Sequence, residues 1–235
     1  MTPPPKKKPL GPPQDVVAIR QKSRALLDTP GANGKKIGNA IWGVYAFYDY
    51  DGEPIYVGQT YESLQERISR HLTNQRSDAV AMNVLDPFEV ADIELWPLWE
   101  LQHINNKHID FKEAKRKLDA TEYTVFQLVL SHSTFKAVLN EGVMTPTEPV
   151  GLPPSVRGRI IPDDLYEQRK HPDVRIARRA TTISALARVI SERNLRKPGL
   201  RLTLLTQATR LQRLASQRYI ETRGIIPIAE PGEED

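Results

Sequence analysis

Two phenols, a guanidinium and an imidazole fall within one stretch, Trp42–His71, which reads WGVYAFYDYDGEPIYVGQTYESLQERISRH. Arginine offers a planar fork matched to phosphate oxygens. A tyrosine or a histidine moves protons or orients water. Tyr45, Tyr56, Arg67 and His71 together therefore suit the hydrolysis of a phosphodiester, provided that a carboxylate elsewhere in the chain supplies a metal site. Aromatic residues in strands also serve packing, and an Arg/His pair four residues apart also occurs on solvated helix faces. Residue types and spacing alone leave both readings open.

The elements that must position these groups are short. Two β-rich runs, Gly43–Tyr50 and Pro54–Gly58, flank Asp51-Gly52, and Asp-Gly between such runs signals a hairpin. From Ser63 the pattern turns helical, with Leu64, Ile68 and Leu72 forming one apolar stripe. Glu66 stands three residues after Ser63, the spacing of a capping box. Arg67 and His71 share a second face of that helix.

The stretch resembles the GIY-YIG nuclease family, whose two name motifs stand here as Gly43-Val44-Tyr45 and Tyr56-Val57-Gly58. In that family the following helix carries an Arg, here Arg67, often followed by a His, here His71. The resemblance is clear over Trp42–His71 and reaches more loosely to Asn140. It implies an α/β (α+β) fold over residues 40–143, a small three-stranded, mostly antiparallel sheet flanked by helices. It also implies a phosphodiester hydrolase acting on double-stranded DNA, an endodeoxyribonuclease with Mg²⁺ or Mn²⁺ as cofactor. In those terms Arg67 holds the scissile phosphate, Tyr45 is the general base or water-orienting phenol, His71 supports it, and Tyr56 orients or binds phosphate. Many relatives carry a Lys near the second motif; this chain has Gln59 there, a departure that removes lysine-dependent activation from the expected mechanism and makes Gln59 a candidate supporting residue.

A metal site needs an acid. Val90–Leu101 reads as a third strand, interrupted near Pro97 where a ladder donor is lost. Phe111–Leu130 then reads as a helix in which Glu122 lies among apolar neighbours. An acid facing a core is costly unless it is paired or binds a cation, and the family's metal-binding Glu sits on a helix after the third strand. Glu122 is the match, with Glu113 as fallback and a surface ion pair as the alternative. Asn140, in FKAVLNEG, corresponds by type to the family's closing Asn or else caps a helix beside Gly142. His103 and His108 resemble metal ligands only by type. The reading requires the Glu122 carboxylate on the same side of the sheet as Tyr45 and Arg67.

Bulk properties set the frame. The 235 residues suit one domain with appendages or two small ones. A hydrophobic content of 39% supports a core, while 19 prolines imply much irregular chain. Without cysteine there are neither disulfides nor thiolate metal sites, which fits a cytoplasmic protein. No apolar run suffices to span a membrane. The net charge of +4 hides an asymmetry: Arg157–Arg223 holds sixteen Lys/Arg against six Asp/Glu. Such a concentration is the footprint of a polyanion partner, here nucleic acid.

The organisation follows from these patterns. Residues 1–39 comprise a tail with Lys6-Lys7-Lys8, a short helix over Asp15–Leu27 and a loop. A proline-rich linker spans 144–156, and 224–235 is an acidic tail. Between them, 157–223 reads as two basic amphipathic helices that bind DNA or pair two copies in a homodimer. Their stripes are Ile176, Ala180, Ile183, Ala187 and Ile190, and then Leu204, Ala208, Leu211 and Ala215. Arg175, Arg178, Arg179, Arg210 and Arg213 are the candidate DNA contacts. The compact format, with no further catalytic or repeat domain, most resembles the restriction endonucleases of the family. A homing or phage-borne endonuclease, a repair-type structure-specific nuclease, and a non-catalytic DNA-binding protein retaining the fold are the alternatives.

Overall fold

The computed structural model describes residues 14–72, 86–139, 144–192 and 198–223. Asn140, the lysine-bearing tail and the acidic tail lie outside the described residues. Four antiparallel strands form one sheet in the order β2-β1-β3-β4, with β1 at Gly43–Tyr48, β2 at Pro54–Thr60, β3 at Asp92–Pro97 and β4 at Val156–Arg159. Among the described residues six α-helices accompany it: α1 (Gln14–Leu27), α2 (Leu64–Leu72), α3 (Phe111–His132), α4 (Asp163–Lys170), α5 (Pro172–Glu192) and α6 (Pro198–Arg223). The expected α+β class is present, with one strand more than the sequence suggested. That fourth strand follows the prolines, and its VRGR sequence carries no apolar alternation to announce it.

Alternation along β1 and β2 divides the interior into two layers. Tyr45 and Phe47 lie opposite Gly58 and Tyr56, so all four point to one face. There they pack with Ile93, Leu95, Leu64, Ile68 and residues of the C-terminal helices, among them Leu186, Ile190 and Leu200. Val44, Ala46, Tyr48 and Val57 point to the other face and meet Ala114, Leu118, Val125 and Val129 of α3. The C-terminal helices thus share a core with the two tyrosine-bearing strands rather than building their own. The proline-rich segment also belongs to the body: Val150 donates its N–H to Thr124 Oγ1 at 3.0 Å, and Leu152 packs on the second core.

The hairpin turn joins these layers. Gly52 adopts φ +74°, the left-handed conformation that favours glycine, as Asp51-Gly52 implied. Asp49 accepts the N–H groups of Asp51 and Glu53 and lies buried against three arginines. Arg179 reaches it at 2.9 Å, Arg175 at 3.3 Å and Arg210 at 3.5 Å. Arg175 also grips Asp51 at 2.7 Å, and Arg179 bonds Glu89 at 3.0 Å. Burial drives the Glu89 pKa upward, against the pull of Arg179, and drives the Arg210 pKa downward, against Asp49. Glu53 accepts from Ser133 and from the N–H groups of Thr134 and Phe135, tying the end of α3 to the same turn.

This network corrects the phase read for the C-terminal helices. Of the first stripe only Ile190 is fully buried; α5 turns Arg175, Arg179, Leu186, Val189 and Ile190 inward. Helix α6 buries Leu200, Thr203, Gln207, Arg210 and Leu214 and leaves Ala208 exposed. Buried acids at the turn outweigh the apolar periodicity, because an unpaired carboxylate in a core costs more than a rotated helix.

Replacing Asp49 with Asn keeps the shape but removes the charge that faces three buried guanidinium groups. Urea unfolding should show a loss of about 3–5 kcal/mol, the cost of stranding buried ionic partners. A loss under about 1 kcal/mol would mean that the arginines are balanced elsewhere.

Candidate active site

Local sequence delivers each group. Ser63 Oγ accepts the Glu66 N–H at 3.1 Å, capping α2 one residue before its first turn. Leu64 and Ile68 then anchor the helix beneath β1, with the Leu64 methyls 3.0–3.1 Å from where a Cβ on Gly43 would stand. With that stripe buried, Arg67 and His71 turn towards Tyr45. The Tyr45 hydroxyl bonds His71 Nε2 at 2.6 Å, and Arg67 Nε donates to the same oxygen at 3.2 Å. With His71 neutral and its proton on Nδ1, the phenol donates to the imidazole while it accepts from the guanidinium.

Glycine makes this arrangement possible. A Cβ on Gly58 would lie 2.5 Å from Tyr45 Oη and 2.8 Å from Tyr56 Cε1. Only a bare α-carbon lets the phenol cross β1 and rest its oxygen over the edge strand β2. Tyr56 stacks on Tyr45 and Phe47 at 6.2 and 5.9 Å and approaches the His71 ring at 5.2 Å. His71 is almost wholly enclosed by these aromatic rings, with an edge-on contact to Phe47 at 5.6 Å. All four residues expected from the two motifs and the first helix therefore meet.

The acid arrives from the other face. Helix α3 covers the layer opposite α2, so the two helices do not share a side of the sheet, but the Glu122 carboxylate lies close enough to the β2 edge for Gln59 and Arg67 to act on it, which is the meeting the reading requires. They meet electrostatically around edge strand β2. Gln59, on the α3 side of that strand, donates its Nε2–H to Asp119 at 2.7 Å and accepts from Lys115 Nζ at 3.2 Å. Lys115 also pairs with Asp119 one turn along the helix. A cleft of about 240 Å³ opens here, lined by Gln59, Thr60, Tyr61, Glu62, Arg67 and Lys115.

Glu122 belongs to this group by its field. Burial pushes its pKa up to about 7, and Asp119 adds to that; Lys115, the Gln59 amide and Arg67 pull the other way. Arg67 feels burial against its charge too, but Tyr45, Tyr56 and Glu62 keep its pKa raised. A single carboxylate held against its own desolvation suits one hard cation, since Mg²⁺ takes one or two protein carboxylates and keeps water and phosphate as remaining ligands. Among the described residues, no group of three or more His, Asp or Glu gathers into a metal cage. Glu113 is exposed on the solvent side of α3, and His103 and His108 pack edge to face at 5.8 Å away from the cleft motifs.

The candidate DNA-contacting arginines are placed elsewhere. Arg175, Arg179 and Arg210 are buried in the network around Asp49, and Arg178 bonds both Asp86 oxygens at 2.9 and 3.0 Å while stacking on Phe88. Arg213 is exposed and leans over Phe135 at 5.4 Å. The first three have no open face for a phosphate, and that expectation is corrected. Lys115 and Asp119 went unnoticed in the sequence, although both lie on the helical face that carries Glu122.

Residues 41–131 match the family model of the GIY-YIG catalytic domain. No curated protein and no solved structure matches the chain significantly. The matched span is similar to that catalytic domain and contains both tyrosine motifs, Arg67, His71 and Glu122. Among the described residues, no helix is long and apolar enough to cross a membrane.

The Glu122 shift has a signed consequence for stability. Its protonated form is favoured in the fold, so the stability it contributes is complete below the ordinary value of 4.5 and is lost as pH rises through about 7. Glu122→Gln stays neutral throughout. In metal-free buffer at pH 8 the variant should exceed the wild type by on the order of 2–3 kcal/mol, with the gap narrowing as pH falls towards 5. Thermal unfolding across that range checks it; a wild type as stable as the variant at pH 8 would contradict the buried charge.

Proposed function

We propose that the protein is a metal-dependent DNA endonuclease, a site-specific restriction enzyme that hydrolyses phosphodiester bonds in double-stranded DNA. The observation that carries this reading is the convergence of Tyr45, His71 and Arg67 within hydrogen-bonding distance, beside a cleft whose field includes Glu122. Support for the restriction subtype comes from the C-terminal helices, which are built into the catalytic core instead of hanging from it as a separable targeting module.

Each residue then has a physical task. Arg67 bonds Tyr45 through Nε, and no described residue accepts from its two Nη atoms. Its fork therefore faces the cleft, where it holds the scissile phosphate and offsets charge growing on the phosphoryl oxygens. Tyr45 takes a proton from the attacking water. An ordinary phenol titrates near 10 and is a poor base at neutral pH, but here a guanidinium stabilises the phenolate and His71 Nε2 receives the phenol's proton at 2.6 Å. Tyr56 walls the His71 ring and fixes its orientation. Glu122 would hold the divalent cation, Mg²⁺ or Mn²⁺, with water and phosphate as its other ligands. When bound, that ion supplies positive charge against the developing negative oxygens.

One catalytic centre per chain cuts one strand at a time, so cleavage of both strands calls for a homodimer or for two successive nicks. End mapping separates the subtypes. A short symmetrical site cut to defined ends supports restriction, whereas a long asymmetric site identifies a homing-type enzyme.

Supercoiled plasmid incubated with the protein and Mg²⁺ should be nicked and linearised, and EDTA should stop the reaction. Arg67→Ala should lower the rate by on the order of 10²-fold or more, and Glu122→Ala should abolish metal-dependent cleavage while DNA binding persists. Full activity in the Glu122 variant would reject the metal site. Binding without cleavage by the wild type would leave a non-catalytic protein that retains the fold.

A further inference from the structure

We propose that Lys115 is a second substrate-binding cation, gripping a DNA backbone phosphate beside the one held by Arg67 from the opposite wall of the cleft. The proposal rests on the nuclease reading above but is tested apart from it. The two side chains come from different layers of the protein, Arg67 from α2 and Lys115 from α3, and both line the same 240 Å³ cleft. A lysine paired with an aspartate one helical turn away is ordinarily a solvated surface pair worth little. Lys115 departs from that pattern in direction. Its ammonium is drawn off the helix towards β2 by the Gln59 carbonyl at 3.2 Å and stands 5.9 Å from the centre of the Tyr61 ring.

The charges around the cleft favour an anion. Its lining holds two cations, Arg67 and Lys115, against one acid, Glu62, which is itself engaged by Arg70. Asp119 faces Lys115 but divides its oxygen between the ammonium and the Gln59 amide. Lys115 remains about one-third exposed, enough to exchange part of that pairing for a phosphate. Gln59 acts as a positioning residue: its oxygen aims the ammonium and its NH₂ group holds the competing carboxylate. Tyr61 stands three residues after the second motif and is about half exposed. Its ring is fixed against Trp42 and Phe111 at 5.7 and 5.9 Å, which makes a rigid rim at the cleft's mouth.

A phosphate contact is independent of base sequence, so an arbitrary duplex serves as the probe. Binding of the full chain to a fluorescein-labelled mixed-sequence duplex is followed by anisotropy from 50 to 300 mM KCl, in EDTA so that no metal-dependent cutting intervenes. Removing one phosphate contact should reduce the slope of log K against log[salt] by about 0.9. Lys115→Gln is expected to show that reduction, and Lys115→Arg to restore the slope. Asp119→Asn removes the competing carboxylate and should tighten binding by about 2- to 3-fold, which a purely structural ion pair would not do. In plasmid cleavage, Lys115→Gln should raise KM by about 10-fold with kcat changed by only a few-fold. An unchanged salt slope in Lys115→Gln overturns the proposal, as does a wild type with no salt-sensitive duplex binding. A normal slope loss in a protein that never cuts would uphold the Lys115 contact while the nuclease reading fails.

Discussion

A missing Cβ at Gly58 is the constraint on which the site depends. The phenol of Tyr45 must cross from the second strand of the sheet to its edge, and its oxygen ends 2.5 Å from where an alanine methyl would begin. From that position it reaches His71 and Arg67 together, which links the first motif to α2. The glycine in the second name motif is thus a steric requirement of the tyrosine in the first. Their pairing across the β1–β2 ladder, Tyr45 opposite Gly58, turns a sequence pattern into a single packing event.

The edge position of β2 has a second effect. A central strand would wall off one face of a sheet from the other, but around an edge strand the two layers can share a cleft. Gln59, the next residue along, points to the opposite face from Gly58 and engages Lys115 and Asp119 of α3. Neighbouring residues of one strand therefore serve the two halves of the site: Gly58 admits the Tyr45–His71–Arg67 group, and Gln59 joins the helix that carries Glu122. The carboxylate remains half-buried with its pKa pushed up to about 7, a local instability that a bound cation would relieve.

Much of this was legible in the sequence, for identifiable reasons. The Asp51-Gly52 turn, the Ser63 cap and the Leu64/Ile68 stripe are local signals, and each produced the element it implied. Arg67 and His71 were placed on one helical face by their spacing alone. The convergence with Tyr45 was not visible locally, because it depends on the cross-strand register. The layer that α3 covers was not visible for the same reason: helical periodicity shows which face of α3 is buried, not which face of the sheet receives it. The fourth strand escaped because β4 is four residues of alternating small and basic type, held by pairing with β3 and by Arg157 stacking on Tyr48 at 3.6 Å.

The C-terminal arginines show the opposite failure, in which a strong signal had another cause. Concentrated positive charge reads as a polyanion footprint, yet Arg175, Arg179 and Arg210 answer to three acids and a turn inside the protein. Their partner Asp49 lies more than a hundred residues away, beyond the reach of any local pattern.

The central proposal is that Glu122 and the Tyr45–His71–Arg67 group, carried by elements on opposite layers, act together around the edge of β2, with Glu122 holding a divalent cation. Paramagnetic broadening of backbone amide resonances by Mn²⁺ tests it most directly. Broadening should centre on residues 58–62, 67–71 and 115–122 together and vanish in Glu122→Gln. Broadening confined to α3, or centred on the Asp49–Glu89 network, would contradict the account.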